Sequence, residues 1–89
     1  MKPDLSAPKL APHVRHQVDR ITGVPMLLHP EGAVELSETA DAIVRLCDGV
    51  RTTGEIVARL AAEYEAPPEA LQADVEACLG ELRGRGLLA

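Results

Sequence analysis

The hydrophobic pattern of this chain changes period once, at Leu36–Ser37, and that change limits the folds open to it. Upstream of it apolar residues alternate with polar ones or run in short blocks; downstream they recur every three or four residues. A block of strands followed by a block of helices specifies an α+β domain, because α/β folds interleave the two. Its 89 residues are enough for one domain with a modest core.

The strand block has three members. Val14, His16 and Val18 alternate with Arg15, Gln17 and Asp19, and Thr22-Gly23 supplies a turn. Val24 to Leu28 is apolar on both faces, which suits a central strand covered by helices. Pro30 fits the second position of a turn and Gly32 the positive φ that closes it. A short third strand follows, Ala33 to Leu36, at the margin of an up-and-down antiparallel sheet. Residues 1–12, with Pro3, Pro8 and Pro12 and little periodicity, read as a flexible tail ahead of a single domain over 13–89.

Three helices complete the pattern. Ser37 caps the first, whose stripe is Ala40, Ile43, Val44 and Cys47, with Gly49 as its stop. The second opens with the capping box Thr52-x-x-Glu55 and buries Ile56, Val57, Leu60, Ala61 and Tyr64. Pro67-Pro68 ends it and Pro68 starts the third, lined by Leu71, Val75, Cys78, Leu79 and Leu82. Leu87-Leu88 is placed to fold back on the core.

Composition excludes several functions. Without Phe or Trp, and with Tyr64 alone among aromatics, the chain lacks the platforms that stack nucleic-acid bases. Its charge of -5 divides unevenly. Residues 1–30 carry four Lys/Arg against two Asp, net +2, while 31–89 carry five Arg against twelve acids, net -7. An acidic helical half repels phosphate and steers basic partners. That counts against the rival reading, a winged-helix DNA-binding regulator, because the third helix has Glu69, Asp74, Glu76 and Glu81 but no base before Arg83. No apolar run reaches the roughly 18–20 residues of a membrane span, and the first residues lack a secretion signal's apolar core, so a cytoplasmic protein is expected.

No catalytic constellation emerges. His13 and His16, three apart on a strand, point to opposite faces and cannot chelate a metal together. His29 precedes a proline in a turn with no cysteine partner in sight. Cys47 sits near a helix C-terminus beside Asp48, where dipole and carboxylate both disfavour a thiolate, and Cys78 lies mid-helix on an apolar face. Both read as reduced thiols. Paired acids such as Glu35 with Glu38 and Asp74 with Glu76 fall on exposed faces, with Asp74 at the edge of an apolar stripe. The chain is expected to be no enzyme and to hold no cofactor or metal. What it offers is the free margin of the third strand, where a foreign peptide can add as a fourth, with Val75, Cys78, Leu79 and Leu82 as the apolar wall of a groove. Coverage of that margin by a helix or the tail stays open at this point. So does a homodimer, since a short sheet with hinge-like turns can exchange elements between chains.

At Pro30-Glu31-Gly32, Leu46-Cys47-Asp48-Gly49, Asp74-Val75 followed by Leu79 and Leu82, and Gly86-Leu87-Leu88, the chain resembles the PqqD family of pyrroloquinoline quinone (PQQ) biosynthesis. The resemblance spans about residues 13–88 and rests on the order and spacing of these motifs. It implies a winged-helix-like precursor-recognition domain that binds the ribosomal peptide PqqA and presents it to PqqE, a radical SAM iron–sulfur enzyme that joins a Glu and a Tyr side chain of the peptide. It also implies where the peptide lies: beside Ala33, Val34, Glu35 and Leu36, over Asp74, Val75, Leu79 and Leu82. Cys78 stands where relatives often carry a large aromatic, which implies a shallower groove floor, and Ser37 replaces a common Asn with its capping role kept.

Overall fold

The computed structural model describes residues 7–89. Three strands come first, β1 (Arg15–Val18), β2 (Pro25–His29) and β3 (Gly32–Glu35), followed by α1 (Glu38–Arg45), α2 (Thr53–Tyr64) and α3 (Pro68–Gly84). The sheet is antiparallel in the order β1-β2-β3. The α+β class and the strand-then-helix order therefore follow the change of hydrophobic period.

Local chemistry sets the boundaries. Between β1 and β2 the Asp19 carboxylate accepts from the Ile21 and Thr22 amides, and Gly23 takes a positive φ of 76°. Pro30-Glu31 turns the chain into β3, where Gly32 adopts φ 146°. Ser37 caps α1 by accepting from the Ala40 amide at 3.1 Å, and Thr52 with Glu55 closes a reciprocal box on α2. At the end of α3 Gly86 turns left-handed, and the Leu87 amide donates to the Leu82 carbonyl at 2.9 Å. That Schellman-type bond turns Leu87 back into the core, where it is buried.

The core is aliphatic: Leu27, Ile43, Ile56, Leu60, Val75 and Leu87 are its most enclosed side chains, and no polar residue among the described ones is buried with them. The backbone of α1 lies against β2, while α2 and α3 pack on each other and on α1. A hydrogen bond of 2.6 Å between His16 Nε2 and an Asp41 oxygen fastens β1 to α1, and the other Asp41 oxygen accepts from Arg45 Nε at 3.0 Å.

Several expectations need correction. Of residues 1–12, the first six lie outside the described residues, but Pro8 to Ala11 are held against the body. The Gly49 amide donates to Pro8, Ala11 donates to Leu87, and Ala89 donates to Lys9. The proline spacing hid this edge because the pairing is with the C-terminal segment, through a bridge between Leu10 and Leu88. The helices cover β2 only on its Leu27 side; Met26 and Leu28 are half-buried on the other. Tyr64 is 40% exposed at the end of α2, a position that packing did not need to enclose. The first helix ends at Arg45 with Leu46 as its cap, so Gly49 serves the following turn rather than the helix stop.

Asp41 gives the fold a pH dependence. Burial pushes its carboxyl up, but the bonds from His16 and Arg45 outweigh this and hold it below the ordinary value of 3.8. Exposed Asp19 and Asp48 are lowered too, each by two backbone amides. A carboxyl with a depressed folded pKa stabilises above its unfolded pKa of about 3.9, and loses that contribution as pH falls through the folded value. Urea midpoints are therefore expected to be flat near neutrality and to drop below about pH 4. Asp41→Asn should lower the midpoint more at pH 7 than in acid, the difference shrinking as pH falls; an equal loss at every pH would rule out this linkage.

Candidate functional site

Among the described residues, the outer margin of β3 is an open hydrogen-bonding edge. The Leu36 amide donates to the Pro25 carbonyl at 2.9 Å, which makes Pro25 and Leu36 a bonded pair in the β2–β3 ladder. Bonded and non-bonded pairs alternate in an antiparallel ladder, so Leu27–Val34 is bonded and Met26–Glu35 and Leu28–Ala33 are not. The N–H and C=O groups of Ala33 and Glu35 thus point away from β2. Among the described residues no other backbone group meets them.

Beside this edge lies a cleft. No Cα of β3 comes within 8 Å of one in α3. The gap holds about 180 Å³, lined by Val34, Glu35, Leu36, Ser37, Ala40, Cys78, Glu81, Leu82 and Arg85. Register places Val34 on the same sheet face as the fully enclosed Leu27, so this side chain looks inward, while Ala33 and Glu35 look outward. On α3, Cys78, Glu81, Leu82 and Arg85 follow the i, i+3, i+4, i+7 spacing of one helix face. Arg85 is paired with Glu81 at 3.0 Å on the rim.

The structure thus gathers Val34, Glu35, Leu36, Cys78 and Leu82 of the expected groove, with Ala33 on the adjoining edge. Asp74 is exposed one turn before Cys78 on the same stripe, outside the cleft. Val75 and Leu79 differ from expectation: at 0% and 3% exposure they belong to the core beneath, because α3 turns that face onto the other helices. Ser37, Ala40, Glu81 and Arg85 were not foreseen as lining residues. The face Cys78-x-x-Glu81-Leu82-x-x-Arg85 was legible as a helical stripe, but its mixed polarity hid it.

The two cysteines are not joined in a disulfide. Both are free, and Cys47 is buried with its thiol bonded to the Ile43 carbonyl at 3.3 Å. Burial, then the nearby Cys78 and Asp48, pushes the Cys47 thiol up to about 12. Burial and Glu81 raise the half-buried Cys78 as well. These are poor nucleophiles. Among the described residues no three His, Cys, Asp or Glu side chains converge as a metal site, and no helix is long and apolar enough to cross a membrane.

An edge of free backbone groups beside a trough with apolar side chains in its lining is an arrangement that accepts an extended peptide. The family described as "Coenzyme PQQ synthesis protein D (PqqD)" matches residues 26–88. The chain belongs to the PqqD family. Among its relatives, the "PqqA binding protein" of Bradyrhizobium diazoefficiens is 36% identical over 85 residues, covering 96% of this chain and 82% of that one. The "PqqA binding protein" of Gluconobacter oxydans is 42% identical over 74 residues, covering 83% and 77%. A PqqD fold has also been solved in solution, as the PqqD truncation of Methylobacterium extorquens PqqCD, described as a stand-alone recognition element for ribosomally synthesized and post-translationally modified peptides. It superposes with a TM-score of 0.80 at 32% identity, over 92% of this chain and 87% of that one. The PqqD match begins inside β2 and takes in β3, α3 and the whole cleft.

Proposed function

We propose that this PqqD protein is a non-catalytic adaptor of PQQ biosynthesis, which binds the precursor peptide PqqA by strand addition at β3 and presents it to the radical SAM enzyme PqqE in the cytoplasm. The observation that carries the reading is the Ala33–Glu35 edge beside the cleft, unpaired among the described residues, in a family with members named for PqqA binding. The incoming backbone bonds to Ala33 and Glu35. Its inward side chains rest against Val34, Leu36, Cys78 and Leu82, with Asp74 beyond the rim, and Val75 and Leu79 hold α3 in place from the core.

Energetics favour such a division of labour. Ordering a disordered peptide costs about 2–5 kcal/mol, which a few main-chain bonds and one or two buried side chains offset. A net affinity near micromolar, about -8 kcal/mol, is the expected result. The chemistry then belongs to the enzyme, while the adaptor raises the local concentration of its substrate.

Titration calorimetry with synthetic PqqA tests the reading: one-to-one binding is expected, and heats no larger than dilution would overturn it. Cys78 provides a second check, as the half-buried thiol of the cleft. In the folded protein a thiol-specific reagent is expected to label Cys78 and spare Cys47, faster at higher pH, and saturating peptide should slow that labelling at least ten-fold. Labelling unchanged by bound peptide would place the peptide elsewhere.

A further inference from the structure

We propose that the β3 margin reads a two-residue signature in the docked strand: an aliphatic residue opposite Val34, entering the cleft, and, next to it opposite Glu35 on the outer sheet face, a lysine or arginine. The inference rests on strand addition at β3 and names what that strand must carry. Facing residues of paired strands share a sheet face, whether the pairing is parallel or antiparallel. The peptide residue opposite Val34 therefore points inward, towards Cys78 and Leu82, and its neighbours opposite Ala33 and Glu35 point outward.

The inward position selects for size and polarity. About 180 Å³ remains there, and a cavity of about 150 Å³ already admits a benzene-sized group. Val34, Leu36, Ala40, Cys78 and Leu82 give the inserted side chain apolar neighbours, with Ser37, Glu81 and Arg85 also lining the cleft, so an aliphatic group gains by burial there.

The outward position selects for charge. Glu35 forms no ion pair among the described residues, whereas Glu81 of α3 is paired with Arg85. Across the sheet Glu35 faces Met26 and then Gln17, so among the described residues no cation is its cross-strand neighbour, Arg15 lying two strands away and out of register. A Lys or Arg on the added strand becomes its cross-strand partner, and the surrounding net charge of -7 over residues 31–89 favours the same sign.

The test is a charge-swap cycle with synthetic PqqA on the full chain. Each Lys or Arg of the peptide is changed to Glu in turn and titrated against the wild type, Glu35→Lys and Glu35→Gln. Glu35→Lys is expected to weaken wild-type peptide roughly five-fold and Glu35→Gln about two-fold. One reversed peptide should bind Glu35→Lys better than it binds wild type, and the aliphatic residue beside that reversed position should be the one whose change to Asp costs most. Binding indifferent to Glu35→Lys, or rescued by no reversed peptide, overturns the signature while leaving strand addition standing. Absence of binding to the wild-type protein instead overturns the function on which the signature rests.

Discussion

Ala33→Pro is expected to cut the affinity for PqqA about thirty-fold while the domain stays folded. The Ala33 amide points away from β2, so proline removes no bond from the β2–β3 ladder, and edge positions of this kind accept it. The docked peptide loses its donor there and leaves a carbonyl unpaired, a cost of about 2 kcal/mol, which is roughly thirty-fold in Kd. Val34→Pro is the informative contrast. The Val34 amide faces Leu27 inside the ladder, so proline there breaks the sheet itself. Calorimetry paired with thermal melts separates the two: lost binding with an unchanged melt for Ala33→Pro, and a lowered melt for Val34→Pro. Full affinity in a folded Ala33→Pro protein would exclude this edge.

Leu79→Asp is expected to unfold the domain, whereas Cys78→Glu, one residue earlier, should leave it folded and unable to bind. Leu79 is 3% exposed within the core, and an unpaired buried carboxylate costs several kcal/mol against a total stability of about 5–15 kcal/mol for a small domain. Cys78 is half-buried on the cleft wall, where a glutamate can turn its carboxylate to water in the free protein but occupies the place of the peptide's inward side chain. Far-UV circular dichroism during heating should show no cooperative transition for Leu79→Asp and a clear one for Cys78→Glu. A folded Leu79→Asp protein with selectively impaired binding would return Leu79 to the groove.

Both predictions turn on one distinction, between residues that line the cleft and residues that hold it open, and the sequence carried that distinction only in part. Strand and helix order was legible because alternation and the 3.6-residue stripe are properties of neighbouring residues. The caps at Ser37 and Thr52 were legible for the same reason. The outward direction of the Ala33 and Glu35 amides was not, since ladder phase depends on which pair bonds first across β2. Nor was the rotation of α3: Val75 and Leu79 sit on the same apolar stripe as Leu82, and only the packing of α3 on α1 and α2 decides which of them reach the cleft. The pairing of Lys9–Ala11 with Leu87–Ala89 joins opposite ends of the chain, and no local pattern encodes it.

Amide hydrogen exchange at four consecutive residues tests the central claim most directly. In the free protein Val34 and Leu36, bonded within the sheet, should exchange slowly, and Ala33 and Glu35 should exchange fast. Saturating PqqA is expected to slow Ala33 and Glu35 by at least ten-fold and to change Val34 and Leu36 little. Fast exchange at Ala33 and Glu35 that persists with the peptide bound, or protection already complete without it, would contradict docking at this strand.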